Sequence, residues 1–357
     1  MLNFTVGPVM SESGVLEFGA QSTPYFRTSE FSQLMLQSEA LALKALEAPP
    51  HSRCVFLTTS GTGAMETLVM HVLNARDKVL VVNGGGFGER FAELCRLHGR
   101  EMSEIRLSFG SSLREEDLEP FARQGYTALL VNMCETSSGV LYDMPLIARF
   151  CKRNGILLLV DAISSFIADE LKMAEWGIAA VITGSQKALA VQPGIALVAL
   201  APEALQRVEE NPDVSMYLSL KSALKNGERG QTPFTPAVTV LLQINWRLRS
   251  IDENGGVARE RERICARAHA FRRGVTNLPF TLLAQSPSNA VTALKVKHGA
   301  EDITRILKDD YGIWVCPNGG EYADTVFRVG HIGYIVEADE RALLDALYDM
   351  NAKGLLQ

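Results

Sequence analysis

The stretch CVFLTTSGTGAMETLVMHVLNARDKVLVVN, Cys54 to Asn83, decides the architecture. It opens on a short β-rich apolar run, turns through Ser-Gly-Thr-Gly, continues as a helix-like run and closes on a second apolar run. Neither strand candidate alternates polar with apolar residues. That is the pattern of strands covered by helices on both faces of a parallel sheet. The unit recurs downstream: FGERFAELCRLHG follows KVLVVN, MPLIARFCKRNG follows ALLVNMC, and ILLLVDA and AAVITGS come next. The expected fold class is α/β, a three-layer core around a mostly parallel sheet.

Beyond GIALVAL the pattern changes. Pro233 and Pro236 break the chain in QTPFTPAV. Two helix candidates follow, AVTVLLQINWRLRSIDENG and VARERERICARAHAFRRG, and meet at Gly255-Gly256. The tail reads as strand–helix–strand–helix through NAVTALKV, AEDITRILKDDYG, TVFRVG and ADERALLDALYDM. The expected organisation is an N-terminal segment over 1–20, a large domain over 21–255 and a smaller C-terminal α+β domain over 256–357.

Composition narrows the function. With 357 residues, 47% hydrophobic and 21% charged, the chain is long enough for a substantial core. A net charge of −6 counts against nucleic acid or an anionic membrane as the main partner. The start, MLNFTVGPVM, has no basic segment leading into an apolar one, and runs such as GILLLVDAI are too short to span a bilayer. The six cysteines, at 54, 95, 134, 151, 265 and 316, form no Cys-x-x-Cys pair and have no His at metal spacing. Reduced thiols, no metal and a cytoplasmic enzyme or binding protein are expected.

In open α/β sheets ligands bind beyond the carboxyl ends of the strands, so the residues after each strand candidate matter most. CVFLTT is followed by Ser60-Gly61-Thr62-Gly63, which suits a phosphate at a helix N-terminus or, read plainly, a helix cap with a tight turn. KVLVV is followed by NGGGFGER with Phe87 at a helix start, and ALLVNMC by the hydroxyl cluster ETSSG. ILLLV runs into Asp161, and AAVIT into GSQK, ending at Lys187. Taken alone, Lys187 is an ordinary loop lysine. Five strand ends together offer a phosphate cradle, an aromatic ring, hydroxyls, a carboxylate and an amine. Pyridoxal 5′-phosphate needs that set: a lysine for its aldehyde, a carboxylate for its pyridine nitrogen, amides and hydroxyls for its phosphate, and a lid for its ring.

At SGTGAME, CETSSGV, VDAISS, GSQKAL…PG and FRVGHIG the chain resembles the class V, fold-type I aminotransferases, which include alanine–glyoxylate, serine–pyruvate and 2-aminoethylphosphonate–pyruvate transaminases. The likeness runs from TVGP to the last strand candidate. It implies that Lys187 forms the Schiff base and Asp161 pairs with the pyridinium. It also implies that Ser60, Gly61, Thr62 and Gln186 hold the phosphate. Phe87 stands where relatives place a Trp or Tyr over the ring, so the polar edge is lost and the face contact kept. Thr136 matches the hydroxyl near the phenolic oxygen, and Arg328 the arginine that takes a substrate carboxylate. Thr235, with Thr232 as the neighbouring choice of register, would reach the phosphate of the other subunit of a homodimer. The implied reaction is ping-pong transfer from a small amino donor to a 2-oxo acid. Glu66 and Glu135 read as supports for loops or helix ends, His331 as structural or site, and Arg27 as near the site's mouth or anchoring the N-terminal segment.

Two rivals differ in chemistry. A dinucleotide-dependent oxidoreductase is suggested by the glycines of NGGGFGER, but Gly84, Gly86 and Gly88 do not have Gly-x-Gly-x-x-Gly spacing. A lyase or cysteine desulfurase would keep the cofactor, but such relatives place a His over the ring where this chain has Phe87.

Overall fold

The computed structural model describes residues 1–356. Its main sheet has seven strands in the order Arg53–Leu57, Ala196–Leu200, Ile178–Gly184, Leu157–Asp161, Ala128–Asn132, Lys78–Asn83 and Glu101–Arg106. Only Ala196–Leu200 runs against its neighbours; the others share one direction. Leu80, Val82, Leu129, Val131, Leu158 and Val160 face one apolar layer, whereas Val79, Val81, Ala128, Leu130 and Leu159 face the other. Both faces are covered, which is why these strands read as unbroken apolar runs.

Local signals set the helices between them. Asp143 caps Met144–Asn154 by accepting the Leu146 N–H at 2.9 Å, Pro145 sits in the first turn, and Gly155 ends the helix at φ +66°. The edge strand Glu101–Arg106 was not expected from the sequence. Its residues, EMSEIR, are mostly half-buried or exposed, as an edge allows.

A second sheet has four antiparallel strands in the order Thr281–Leu282, Val291–Lys295, Val326–Gly330 and Cys316–Pro317. Helices Gly256–Gly274, Ala300–Tyr311 and Glu337–Ala352 supply its core with Phe271, Ile303, Leu307, Leu343 and Leu347, packed with Phe327 and Leu294. Phe4 from the chain start is buried in that same core, and Leu2–Asn3 pair in parallel with Ile313–Trp314. Helix Ser29–Ala45 and helix Val238–Glu253 pack on each other beside the main sheet. Among the described residues no helix is long and apolar enough to cross a membrane, and no cluster of His, Cys, Asp or Glu could hold a metal. All six cysteines are free.

Candidate active site

Because the main strands run together, their carboxyl ends form one edge, and the side chains there converge. Asp161 is the last residue of its strand, in register with Asn132 on one side and Ile182 on the other. Its carboxyl is buried, and Oδ1 accepts the Ile163 N–H at 2.7 Å. Burial raises its pKa to about 7; Glu135 reinforces this, while the Ile163 N–H, Lys187 and Arg90 oppose it.

The next strand ends at Gly184 and passes into a closed turn. Ser185 Oγ donates to the Gln192 carbonyl at 2.7 Å, and the Ala190 N–H donates to the Lys187 carbonyl at 2.8 Å. The turn leaves Lys187 half-buried, with Nζ donating to the Val6 carbonyl at 2.5 Å. Burial pushes the Lys187 pKa below the ordinary lysine value; Cys316 and Asp161 oppose the shift and the Arg328 cation reinforces it. Lys187, Asp161, Arg328 and Cys316 therefore share one electrostatic site.

Ser60 caps the helix Gly61–His71, its Oγ accepting the Gly63 N–H at 3.4 Å. The amides of Gly61 and Thr62, in the first turn, have no intrahelical partner. Space there is tight: a Cβ at Gly61 would stand 2.4 Å from Ile163 Cδ1, so the loop lies against the segment that follows Asp161. Thr62 Oγ1 accepts from Arg90 at 3.2 Å, and the Arg90 guanidinium lies 4.9 Å from the centre of the Phe87 ring. Arg90 thus ties the cap region to the aromatic residue. Gln186 is folded back, its Oε1 2.8 Å from where a Cβ on Gly184 would be.

Phe87 opens helix Gly86–Leu97, and the buried carboxylate of Glu135 fixes that opening. Glu135 Oε2 accepts the N–H of Phe87 at 3.2 Å, the N–H of Gly88 at 3.0 Å and Asn132 Nδ2 at 2.9 Å. Oε1 accepts the Ser137 N–H at 3.1 Å and the Ser137 hydroxyl. The supporting role expected of Glu135 is what the geometry shows. Glu66 pairs with His98 at 3.0 Å, at the end of the same helix.

The hydroxyls of ETSSG are largely engaged within the protein. Thr136 Oγ1 meets Ser164 Oγ at 2.8 Å in a buried pair, Ser137 is bound to Glu135, and Ser138 Oγ donates to the Glu135 carbonyl at 3.4 Å. Arg328 reaches the same loop, donating from Nη1 to the Thr136 carbonyl at 3.2 Å and from Nη2 to the Pro317 carbonyl at 2.8 Å. Its Nε is buried and has no protein partner. Burial lowers the Arg328 pKa, against the influence of Cys316 and Glu135. Two of the five guanidinium N–H groups are thus bonded to backbone carbonyls, and the charge acts on Lys187.

Most of the remaining candidates have partners of their own. Thr232 is buried, and its hydroxyl donates to the Phe234 carbonyl at 2.8 Å; Thr235 is exposed. Arg27 donates to Gln231 Oε1 at 3.1 Å and to the carbonyls of Thr232 and Pro233 at 2.8 and 3.2 Å, so it anchors the N-terminal segment to that proline loop. His331 is buried, with Nε2 2.7 Å from Thr292 Oγ1. Sequence reasoning missed Val6, Cys316, Arg90 and Ser164. The serine of VDAISS, three positions past Asp161, was visible, but nothing in the sequence gave its partner.

Comparison with known proteins bears on this site. Residues 19–330 match the family described as aminotransferase class-V. A protein of Synechococcus sp. named soluble hydrogenase, small subunit, is 31% identical over 350 residues, covering 96% of this chain and 90% of that one. The L-aspartate–glyoxylate aminotransferase of Paracoccus denitrificans is 27% identical over 319 residues, covering 85% and 79%. The crystal structure of a subgroup IV aspartate aminotransferase from Thermus thermophilus superposes with a TM-score of 0.91 at 26% identity, covering 99% of each chain.

Proposed function

The chain belongs to the class V aminotransferases, and on that premise we propose that it moves an amino group from a small amino donor to a 2-oxo acid with pyridoxal 5′-phosphate as its cofactor. The observation that carries the reading is the placement of Asp161 at the end of one strand and Lys187 just past the end of its neighbour: a buried carboxyl held above its ordinary pKa and an amine held below its own. A buried acid of raised pKa suits a ring N–H, since a shared proton removes the cost of its charge. The tight Gly61 turn and the free amides of the first helical turn fit a phosphate, and the Arg328 cation, close enough to act on Lys187, suits a carboxylate. The residues present therefore suit the cofactor.

When bound, the cofactor supplies an electron sink that lets an amino group leave its carbon skeleton. The protein does the rest. Lys187 would hold the aldehyde and, as a free amine, would serve as general base and then general acid for the proton on the substrate carbon. Asp161 keeps a proton at the ring nitrogen. Ser60, Gly61, Thr62 and Gln186 would hold the phosphate, Thr136 would serve the phenolic oxygen, and Phe87 would cover the ring. Arg328 orients the substrate carboxylate.

The working unit in this reading is a cytoplasmic homodimer, in which the exposed Thr235 reaches the phosphate held by the other subunit. The same reading divides the chain into an N-terminal segment over 1–20, a large domain over 21–255 and a small one over 256–357. The donor class is small: 2-aminoethylphosphonate, alanine, serine or aspartate, with pyruvate or glyoxylate as acceptor. A panel of these donors against both acceptors tests the reading. Each productive pair should bleach and restore an absorbance band near about 400 nm in separate half-reactions. A protein without that band, or one that turns over no pair, would sink it.

A further inference from the structure

The chain start forms a strap that belongs by packing to the small sheet and by contact to the lysine of the large one. The Phe4 N–H donates to the Trp314 carbonyl at 2.8 Å, and the Phe4 carbonyl accepts the Gly330 N–H at 2.7 Å. A Cβ on Gly330 would stand 2.2 Å from the Thr5 carbonyl oxygen, so the strap lies flush on the strand that carries Arg328. Side chains then bend it. Asn3 Oδ1 accepts the Thr5 N–H at 2.9 Å, while Asn3 Nδ2 and Thr5 Oγ1 both donate to the Pro8 carbonyl, at 3.0 and 2.9 Å.

The bend carries the Val6 carbonyl to Lys187 Nζ, and the Val6 N–H points the other way, to Cys316 Sγ at 3.4 Å. At the next position φ is +114°, and a Cβ there would lie 2.6 Å from Lys187 Cδ and 2.9 Å from the Gln186 carbonyl. Two independent constraints, backbone conformation and the lysine stem, thus exclude a side chain at Gly7.

We propose that this strap positions the free Lys187 amine: the Val6 carbonyl holds Nζ and the bare backbone at Gly7 gives the lysine stem its channel. The proposal rests on the reading of Lys187 as the residue that combines with the cofactor aldehyde. An amine that must attack a carbonyl gains from being held in one place, and a lysine stem left free samples many others. A segment anchored on the small sheet thereby sets the reactivity of a lysine anchored on the large one. Val6 and Gly7 are positioning residues, acting through Lys187.

The test uses the full chain stripped of cofactor, with pyridoxal as the probe. The amine attacks the aldehyde carbon, water leaves, and borohydride then delivers hydride to the carbon of the C=N bond, leaving a stable secondary amine. Peptide mass spectrometry follows the adduct at Lys187, with the exposed Lys308 as internal reference. In the wild type Lys187 is captured ahead of Lys308, with a pH midpoint below that of an ordinary lysine. Gly7→Ala slows Lys187 capture by about tenfold or more, and Asn3→Ala, which loosens only the bend, by about two- to fivefold. In both variants the midpoint rises toward that of an ordinary lysine, and the capture rate at Lys308 is unchanged. Equal rates and midpoints in wild type and both variants overturn the positioning role alone. No preferential capture at Lys187 in the wild type overturns it together with the reading it rests on. Should Gly7→Ala fail to fold, Asn3→Ala decides.

Discussion

In the seven-stranded sheet six strands point one way, so their carboxyl ends lie along a single edge. In the four-stranded sheet every neighbour is antiparallel, and strand ends alternate between two edges. The first arrangement gathers an acid and an amine at neighbouring strand ends, and holds each by a turn that follows at once. The second offers one cation from mid-strand, Arg328, in register with Ala293 and Cys316. Bond making and breaking needs several groups fixed within a fraction of an ångström, which a shared strand edge supplies. Recognition of a carboxylate needs one well-aimed fork. The two sheets should therefore fail in different ways when damaged: the large one in kcat, the small one in KM.

The sharpest break comes from Lys187→Ala. Loss of the covalent attachment and of the proton carrier should lower kcat by at least about 10³-fold, measured with the best donor of the panel. Exogenous amine should restore part of the proton transfer. A variant that turned over at the wild-type rate would remove the large sheet's edge from the chemistry.

Asp161→Asn should lower kcat by about 10²-fold or more, because the amide cannot neutralise a ring N–H cation. The same residue makes a pH prediction for the cofactor-free protein. Its folded pKa, raised from 3.8 to about 7, means that the folded chain holds the proton more tightly than the unfolded one. The resulting stability is fully present below 3.8 and is lost as pH rises through about 7. Wild-type Tm should thus fall between about pH 5 and about pH 8 by several degrees more than that of Asp161→Asn. Identical slopes would mean that the carboxyl is not the buried acid described here.

Arg328→Ala tests the other half. Removing a charge-assisted contact costs about 1.5–3 kcal/mol, so KM for the 2-oxo acid should rise about 10- to 100-fold with a smaller change in kcat. A kcat loss matching that of Lys187→Ala, at unchanged KM, would erase the division between the sheets.

That division was half legible in the sequence. The central strands declared themselves as unbroken apolar runs, and Asp161, directly after one, and Lys187, in the turn after another, stood out because such positions lie at the ligand-binding edge. The hydroxyls of ETSSG could not be sorted in the same way. Whether Thr136 faces a ligand or Ser164, and whether Ser137 turns to Glu135, depends on side chains brought together by the fold. The edge strand Glu101–Arg106 escaped notice because its exposure leaves no apolar run to read. The strap was least legible. Val6 and Cys316 are 310 positions apart, and strands of two residues, such as Leu2–Asn3, carry no periodicity.

The smallest effect tests how firmly the two sheets are held to each other. Phe109, on the loop after Glu101–Arg106, stacks on Tyr322, in the turn Gly320–Tyr322 beside the small sheet, with ring centres 3.9 Å apart and planes 12° from parallel. Both line an open cleft of about 310 Å³ with Gly84, Gly85 and Gly86, at the start of helix Gly86–Leu97. The same loop is tied to the small sheet's approach by the Gln285 N–H donating to the Gly110 carbonyl at 2.9 Å and the Ser112 N–H donating to Gln285 Oε1 at 3.0 Å. With those bonds in place, the aromatic pair adds only its own stacking, about 1 kcal/mol. Phe109→Ala should lower Tm by about 1–2 °C and change kcat/KM by less than about fivefold. Tyr322→Ala should do the same, and the double variant should cost less than the two singles together, since the second truncation removes a contact already lost. Strict additivity would show that the rings do not clasp the units, and that the backbone bonds at Gly110 and Ser112 carry the connection unaided.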